Sequence, residues 1–191
     1  MRRRTAWRAR WTGVVACGVV VVGGCVGTTD RGEFDAIIQE RGGGFTAELP
    51  LEAVDVVAAE LGVEDFDVRS MSVTPASELV VMEVRDPQVP ANLDTYVVRR
   101  GEVESVEPVR LSASDDLAVQ TYPVSSLALD RVEAMVDTAL ARFDEGGYVS
   151  SLTVNGSGDE AIFFQMALES PRSTATARFT REGELVDVTR T

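Results

Sequence analysis

The sequence predicts an α+β protein made of two tandem units, each a helix or helix pair packed on a four-stranded antiparallel sheet. Three observations carry this. An order of helix followed by four strand-like runs appears twice, at 50–111 and at 129–190. Each helical segment shows apolar residues at helical spacing and stops at glycine. Arg100-Gly101-Glu102-Val103 and Glu182-Gly183-Glu184-Leu185 superpose at an offset of 82, which also sets Val97 against Phe179.

Taken in order, 26–32 is polar and Gly-containing, as a short tether would be. In 33–41, Phe34, Ile37 and Ile38 fall at i, i+3 and i+4 before Gly42-Gly43-Gly44, predicting a short helix. Pro50 to Leu61 predicts a longer one, with Val54, Val57, Ala58 and Leu61 on one stripe and Gly62 able to close it in the left-handed conformation. Strands are expected at 66–73, 78–86, 94–100 and 102–111, with Arg100-Gly101 as the tight turn between the last two. In the first of these the alternation is only partial. Residues 112–123 connect the units and carry a short helix. Leu129 to Phe143 is helical, with Asp130 as cap, Glu133 as its N3 partner, and Val132, Met135, Val136, Ala139, Leu140 and Phe143 on one face. Strands follow at 148–155, 160–170, 174–181 and 183–190, with Glu182-Gly183 turning the last hairpin. The domain reading is therefore 1–24 signal, 25–32 tether, 33–111 first unit and 112–191 second unit.

Composition excludes several chemistries. The 191 residues contain no His, and all 18 basic residues are Arg. The usual general base near neutral pH, the Ser/His and Cys/His pairs and the Schiff-base amine are therefore missing. The preference for Arg over Lys is what high-GC coding produces, as in an actinobacterium. From Cys25 onward 13 arginines face 31 acids, a net charge of −18 that repels phosphate backbones and anionic lipid heads. Nucleic-acid binding is not expected.

Residues 1–11, "MRRRTAWRARW", are cationic, and Thr12 to Val22 is an apolar run too short for a bilayer core, which needs about 20 helical residues. This is the pattern of an export signal. Val22-Gly23-Gly24-Cys25 then resembles the bacterial lipoprotein box. The resemblance implies cleavage before Cys25, a diacylglycerol on its thiol, and anchoring at the extracytoplasmic face of the cell membrane. Cys17, after Val14-Val15-Ala16, is a poorer match because only about five apolar residues separate it from Trp11. Cleavage at Cys25 leaves one cysteine, blocked by lipid, and no disulfide.

Candidate sites are few. In "NGSGDE", Asn155, Ser157 and Asp159 stand two apart like the first ligands of a calcium loop, yet the sixth position lacks Gly and the twelfth is Met166. No metal and no cofactor is expected; a turn-rich hairpin loop accounts for these residues. Asp65 with Asp67, Asp115-Asp116 and Asp144-Glu145 offer paired carboxylates, and each also suits a cap or turn. Tyr96, placed opposite Val97, is expected to be exposed beside arginines and is the candidate binding residue. Phe163-Phe164 points adjacent aromatics to opposite faces, so one face needs a cover other than its own helix.

The element order and the hairpin "x-Gly-Glu-aliphatic" resemble PepSY-like domains and the tandem arrangement of beta-lactamase-inhibitor-like proteins. That resemblance implies an envelope protein with a binding or inhibitory role. The expectation is a non-enzymatic, lipid-anchored protein whose partner is a protein or small ligand. The alternative is a carrier of a lipid or other hydrophobic ligand.

Overall fold

Partial alternation in 66–73 turns out to be a β-bulge. Phe66 and Val68 face the core, as do Met71 and Val73. The pairing register shifts between Val68 and Ser70, so one extra residue changes the phase. The same break recurs in "YVSSLTVN", where Val149, Leu152 and Val154 are buried and the register shifts between Val149 and Ser151.

The computed structural model describes residues 45–143, 147–156 and 163–190. The elements are α1 (Glu48–Leu61), β1 (Asp67–Thr74), β2 (Leu79–Arg85), β3 (Leu93–Arg99), β4 (Glu102–Pro108), the single turn α2 (Leu117–Gln120), β5 (Tyr122–Pro123), α3 (Val132–Leu140), β6 (Tyr148–Asn155), β7 (Phe164–Glu169), β8 (Thr174–Phe179) and β9 (Leu185–Arg190). The predicted tether and the helix at 33–41 lie outside the described residues, as do the signal segment and Cys25.

The expected pair of separate helix-on-sheet units is not what forms. The strands make one nine-stranded antiparallel sheet in the order β4-β3-β2-β1-β6-β7-β8-β9, with β5 paired to β1. The joint is an antiparallel ladder between β1 and β6, Ser70 opposite Asn155 through Val73 opposite Leu152. The reason is the general liability of edges: a β1 left unpaired would expose its backbone groups, and β6 satisfies them. Both helices serve one continuous core. α1 packs on β2 and β4, and α3 on β6, β7 and β9. The buried side chains between them, from Val57 and Met82 to Met135, Phe164 and Phe179, form one cluster. Among the described residues no polar or charged residue is buried.

Local chemistry sets the boundaries. α1 starts at Glu48, two residues before the predicted Pro50, because proline is tolerated anywhere in a first turn whose N–H groups have no helical acceptor. It ends at Gly62 (φ 69°), and the Val63 N–H donates to the Ala58 carbonyl, satisfying the frayed end. Arg100 (φ 52°) and Gly101 (φ 71°) form the two-residue turn between β3 and β4, both left-handed as that hairpin requires. α3 is entered through a 3-10 turn, Leu129–Arg131, and has no side-chain cap bond at its start. Glu133 does not close back on Asp130; its carboxylate lies 3.4 Å from the Ala47 N–H, at the start of α1.

Phe164 is fully buried and Val119, on α2, is 69% exposed. Phe164→Ala is expected to lower unfolding free energy by about 3–5 kcal/mol, and Val119→Ala to change it by less than about 0.5 kcal/mol. Chemical denaturation of the two variants checks this.

Candidate interaction surface

Along each strand, side chains that alternate with the buried ones form the second face of the sheet. That face is polar and half-exposed, and it is organised by cross-strand ion pairs. The Arg69 guanidinium donates to both Glu83 carboxylate oxygens, at 2.9 and 3.0 Å, and the Ser70 hydroxyl adds a third bond at 2.9 Å. Arg85 reaches Asp67 at 3.5 Å, and Arg99 reaches Glu104 at 3.0 Å. At the far end Arg178 of β8 grips Asp187 of β9 in a two-pronged bond. Small residues such as Ser72, Thr153 and Thr176 fill the spaces between.

Charge on this face is therefore fixed in pairs. Hydrogen bonding from Arg69 holds the Glu83 carboxyl below the ordinary glutamate range, against a burial effect in the other direction. The same pair raises Arg69 above its ordinary value. Asp115, half-exposed, is held low by the Ser112 backbone N–H and hydroxyl, and its charge also acts on Arg69.

A second arrangement closes the end of the β1–β6 ladder. Tyr122 and Phe163 meet edge to face, 5.3 Å between centroids at 88°. The Arg181 guanidinium sits 4.3 Å from the Phe163 centroid and 5.6 Å from that of Tyr122, a cation–π contact with both. Burial pushes the Tyr122 hydroxyl well above its usual range. Gly156 lies against the same ring: a Cβ there would fall 1.9 Å from Tyr122 Cε1.

The sequence-predicted residues are dispersed. Tyr96 is a correction: it is 6% exposed, inside the core, and half-exposed Val97 takes the outer face. Its hydroxyl is raised, first by burial and then by Asp94, Glu60 and Asp86. Asn155 is exposed at the end of β6, where its N–H donates to the Phe163 carbonyl; Ser157 and Asp159 lie outside the described residues. Asp65 accepts from the Ser125 N–H and hydroxyl, Asp67 pairs with Arg85, and Asp116 caps α2 through the Ala118 N–H. Asp144-Glu145 lies outside the described residues. Among the described residues no group of three or more His, Cys, Asp and Glu is placed to hold a metal. No helix among them is long and apolar enough to cross a membrane. Asp65, Asp67, Arg85 and Asp86 line an open cleft of about 250 Å³ at one end of the sheet. The Tyr122–Phe163–Arg181 cluster was not foreseen, although Phe163-Phe164 signalled that both faces need cover: Phe164 is in the core and Phe163 is covered by Tyr122 and Arg181.

No family model and no curated protein matches the chain. Among solved structures it resembles a candidate lipoprotein from Clostridium difficile 630. The TM-score is 0.57 at 11% identity, over 74% of this chain and 92% of that one. At that identity the likeness is one of fold.

Two outcomes follow. Glu83→Gln is expected to cost about 1 kcal/mol at neutral pH, since the pair is half-exposed and screened. Because the native pKa of Glu83 is lowered, its contribution is complete above the ordinary glutamate value of 4.5 and is lost as pH falls through the native value. The variant's deficit should therefore shrink on acidification, as urea titrations at pH 7 and pH 3 will show. Gly156→Ala forces the Tyr122 ring aside and is expected to cost about 1–3 kcal/mol, an increment that should largely disappear when the same substitution is measured in a Tyr122→Ala background.

Proposed function

We propose that the chain is a lipid-anchored protein of the bacterial cell envelope, with a folded part that acts as a non-enzymatic binding or interaction module. The observation that carries the anchor is Val22-Gly23-Gly24-Cys25 behind a cationic segment and a short apolar run. The fold-level likeness to a candidate lipoprotein agrees with it. In this reading the signal ends at Gly24, Cys25 carries the lipid, and the fold stands on the extracytoplasmic side.

Binding is favoured over transport of a hydrophobic ligand by the interior. The space between helices and sheet is occupied by Val57, Met71, Met82, Met135, Phe164 and Phe179, each 0–1% exposed. A carrier keeps a continuous apolar cavity there. The ion-paired sheet face supplies a rigid polar surface in its place, and partners carrying excess positive charge are the ones that the −18 of residues 25–191 would attract. The absence of His and Lys also weighs against acid–base or nucleophilic catalysis. The resemblance to PepSY-like and beta-lactamase-inhibitor-like proteins belongs to the same proposal.

The test is metabolic labelling with a palmitate analogue in a bacterial host, with fractionation. The native chain should incorporate label and sediment with membranes, and Cys25→Ala should lose both. A Cys25→Ala chain that is processed and still partitions with membranes overturns the assignment.

A further inference from the structure

The ring of Tyr96 lies in the core, and the residue as a whole is 6% exposed. Among the described residues its hydroxyl has no hydrogen-bond partner, whereas a buried tyrosine ordinarily finds one. The side-chain polar atoms that are sealed from solvent without a partner belong to Gln120 and Arg181, so the Tyr96 oxygen opens to the surface.

Register shows where it opens. Tyr96 stands between Met82 of β2 and Val106 of β4. Val106 therefore points to the helix side of the sheet, yet it is 44% exposed. α1 packs on β4, and Val103 of that strand is packed against the core, but Val106 stays outside the cover. Two residues before Tyr96 and on the same face, Asp94 is half-exposed. Glu60, exposed, comes from the last turn of α1. The charges of Asp94 and Glu60, with that of Asp86, act on the Tyr96 hydroxyl. Asp86 is engaged by the Gln88 and Val89 N–H groups. Among the described residues Asp94 and Glu60 have no ion pair, and neither α1 nor β4 contains an arginine. This is the reverse of the other face of the sheet, where Glu83, Asp67, Glu104 and Asp187 are each matched to one.

We propose that this notch, with Tyr96 at its floor, Val106 on one wall and Glu60 and Asp94 at its rim, receives an arginine or lysine side chain from a basic segment of a protein partner. The inference rests on the reading of the folded part as an interaction module. The aliphatic stem of the incoming side chain lies along Val106, and its charged end sits between the two carboxylates. The Tyr96 oxygen accepts one of its hydrogen bonds, so the unpartnered hydroxyl is satisfied only in the complex. A metal ion is a poorer occupant. Among the described residues no three acids converge to hold one, and a hard cation gains nothing from a valine wall.

The full chain is titrated by calorimetry at low salt with a blocked peptide of alternating arginine and leucine. Tyr96→Phe keeps the ring in the core and removes only the hydroxyl; it is expected to weaken binding by about fivefold, and Glu60→Gln by about five- to tenfold. Val106→Ser should weaken it by about threefold. Asp137→Asn on α3 removes the same charge away from the notch and should change affinity by less than about twofold. Melting temperatures report whether each variant is folded. Tyr96→Phe binding as tightly as the native chain overturns the proposal. So does Asp137→Asn losing as much as Glu60→Gln, since the peptide is then held by the acidic molecule at large; the notch fails in that case and the interaction module stands. A native chain that does not bind the peptide overturns the notch and the expectation of cationic partners together, while the palmitate test decides the anchor separately.

Discussion

Pairing between β1 and β6 is the constraint on which the rest of the architecture depends. Four residue pairs, Ser70–Asn155 to Val73–Leu152, turn two meanders into one sheet. Met71, Val73, Leu152 and Val154 of this seam are all 0% exposed. They sit where the territories of α1 and α3 meet, so the core runs through the joint without interruption. The bulges beside it, at 68/70 and 149/151, let both strands keep their apolar residues inward at the place where the ladder ends. Beyond the bulge β6 leaves β1, and β5 takes over with Tyr122 opposite Val68. Tyr122, Phe163, Arg181 and Gly156 then close the gap between the departing strands.

The second face follows from the first. Once the helices occupy one side, the other must be soluble without being loose, and cross-strand pairs of arginine with acid meet both needs. Each guanidinium is held by a carboxylate on the adjacent strand, so little side-chain freedom remains to be lost when something docks. Contributions of such half-exposed pairs to stability are small. Their larger effect is on the shape and charge of the surface.

Much of the element content was legible in the sequence because it is set locally. Gly62, Arg100-Gly101 and Glu182-Gly183 ended or turned the chain where predicted, since left-handed backbone is a property of one or two residues. The seam was not legible: alternation says that a strand has a buried face, and nothing about which strand lies beside it. Tyr96 was misplaced for a related reason. The 82-residue offset set Val97 against Phe179, whereas Val98 opposes Val80 in the ladder as Phe179 opposes Phe164. That one-residue difference reverses every side chain in β3. Phe163-Phe164 gave a correct warning that two faces needed cover, but the covering residues, Tyr122 and Arg181, are far from it in the sequence.

The position of the seam also has a consequence in time. Neighbouring strands within each meander join residues close in sequence, whereas Ser70 and Asn155 are about 85 residues apart. Such long-range closure is slow, because its entropy must be lost before its contacts form. As the chain is made from its N-terminus, β1 to β4 can pair while β6 does not yet exist. During that interval β1 is an unprotected edge with Met71 and Val73 beside it. Its safety rests on the order of synthesis and on how soon β6 arrives.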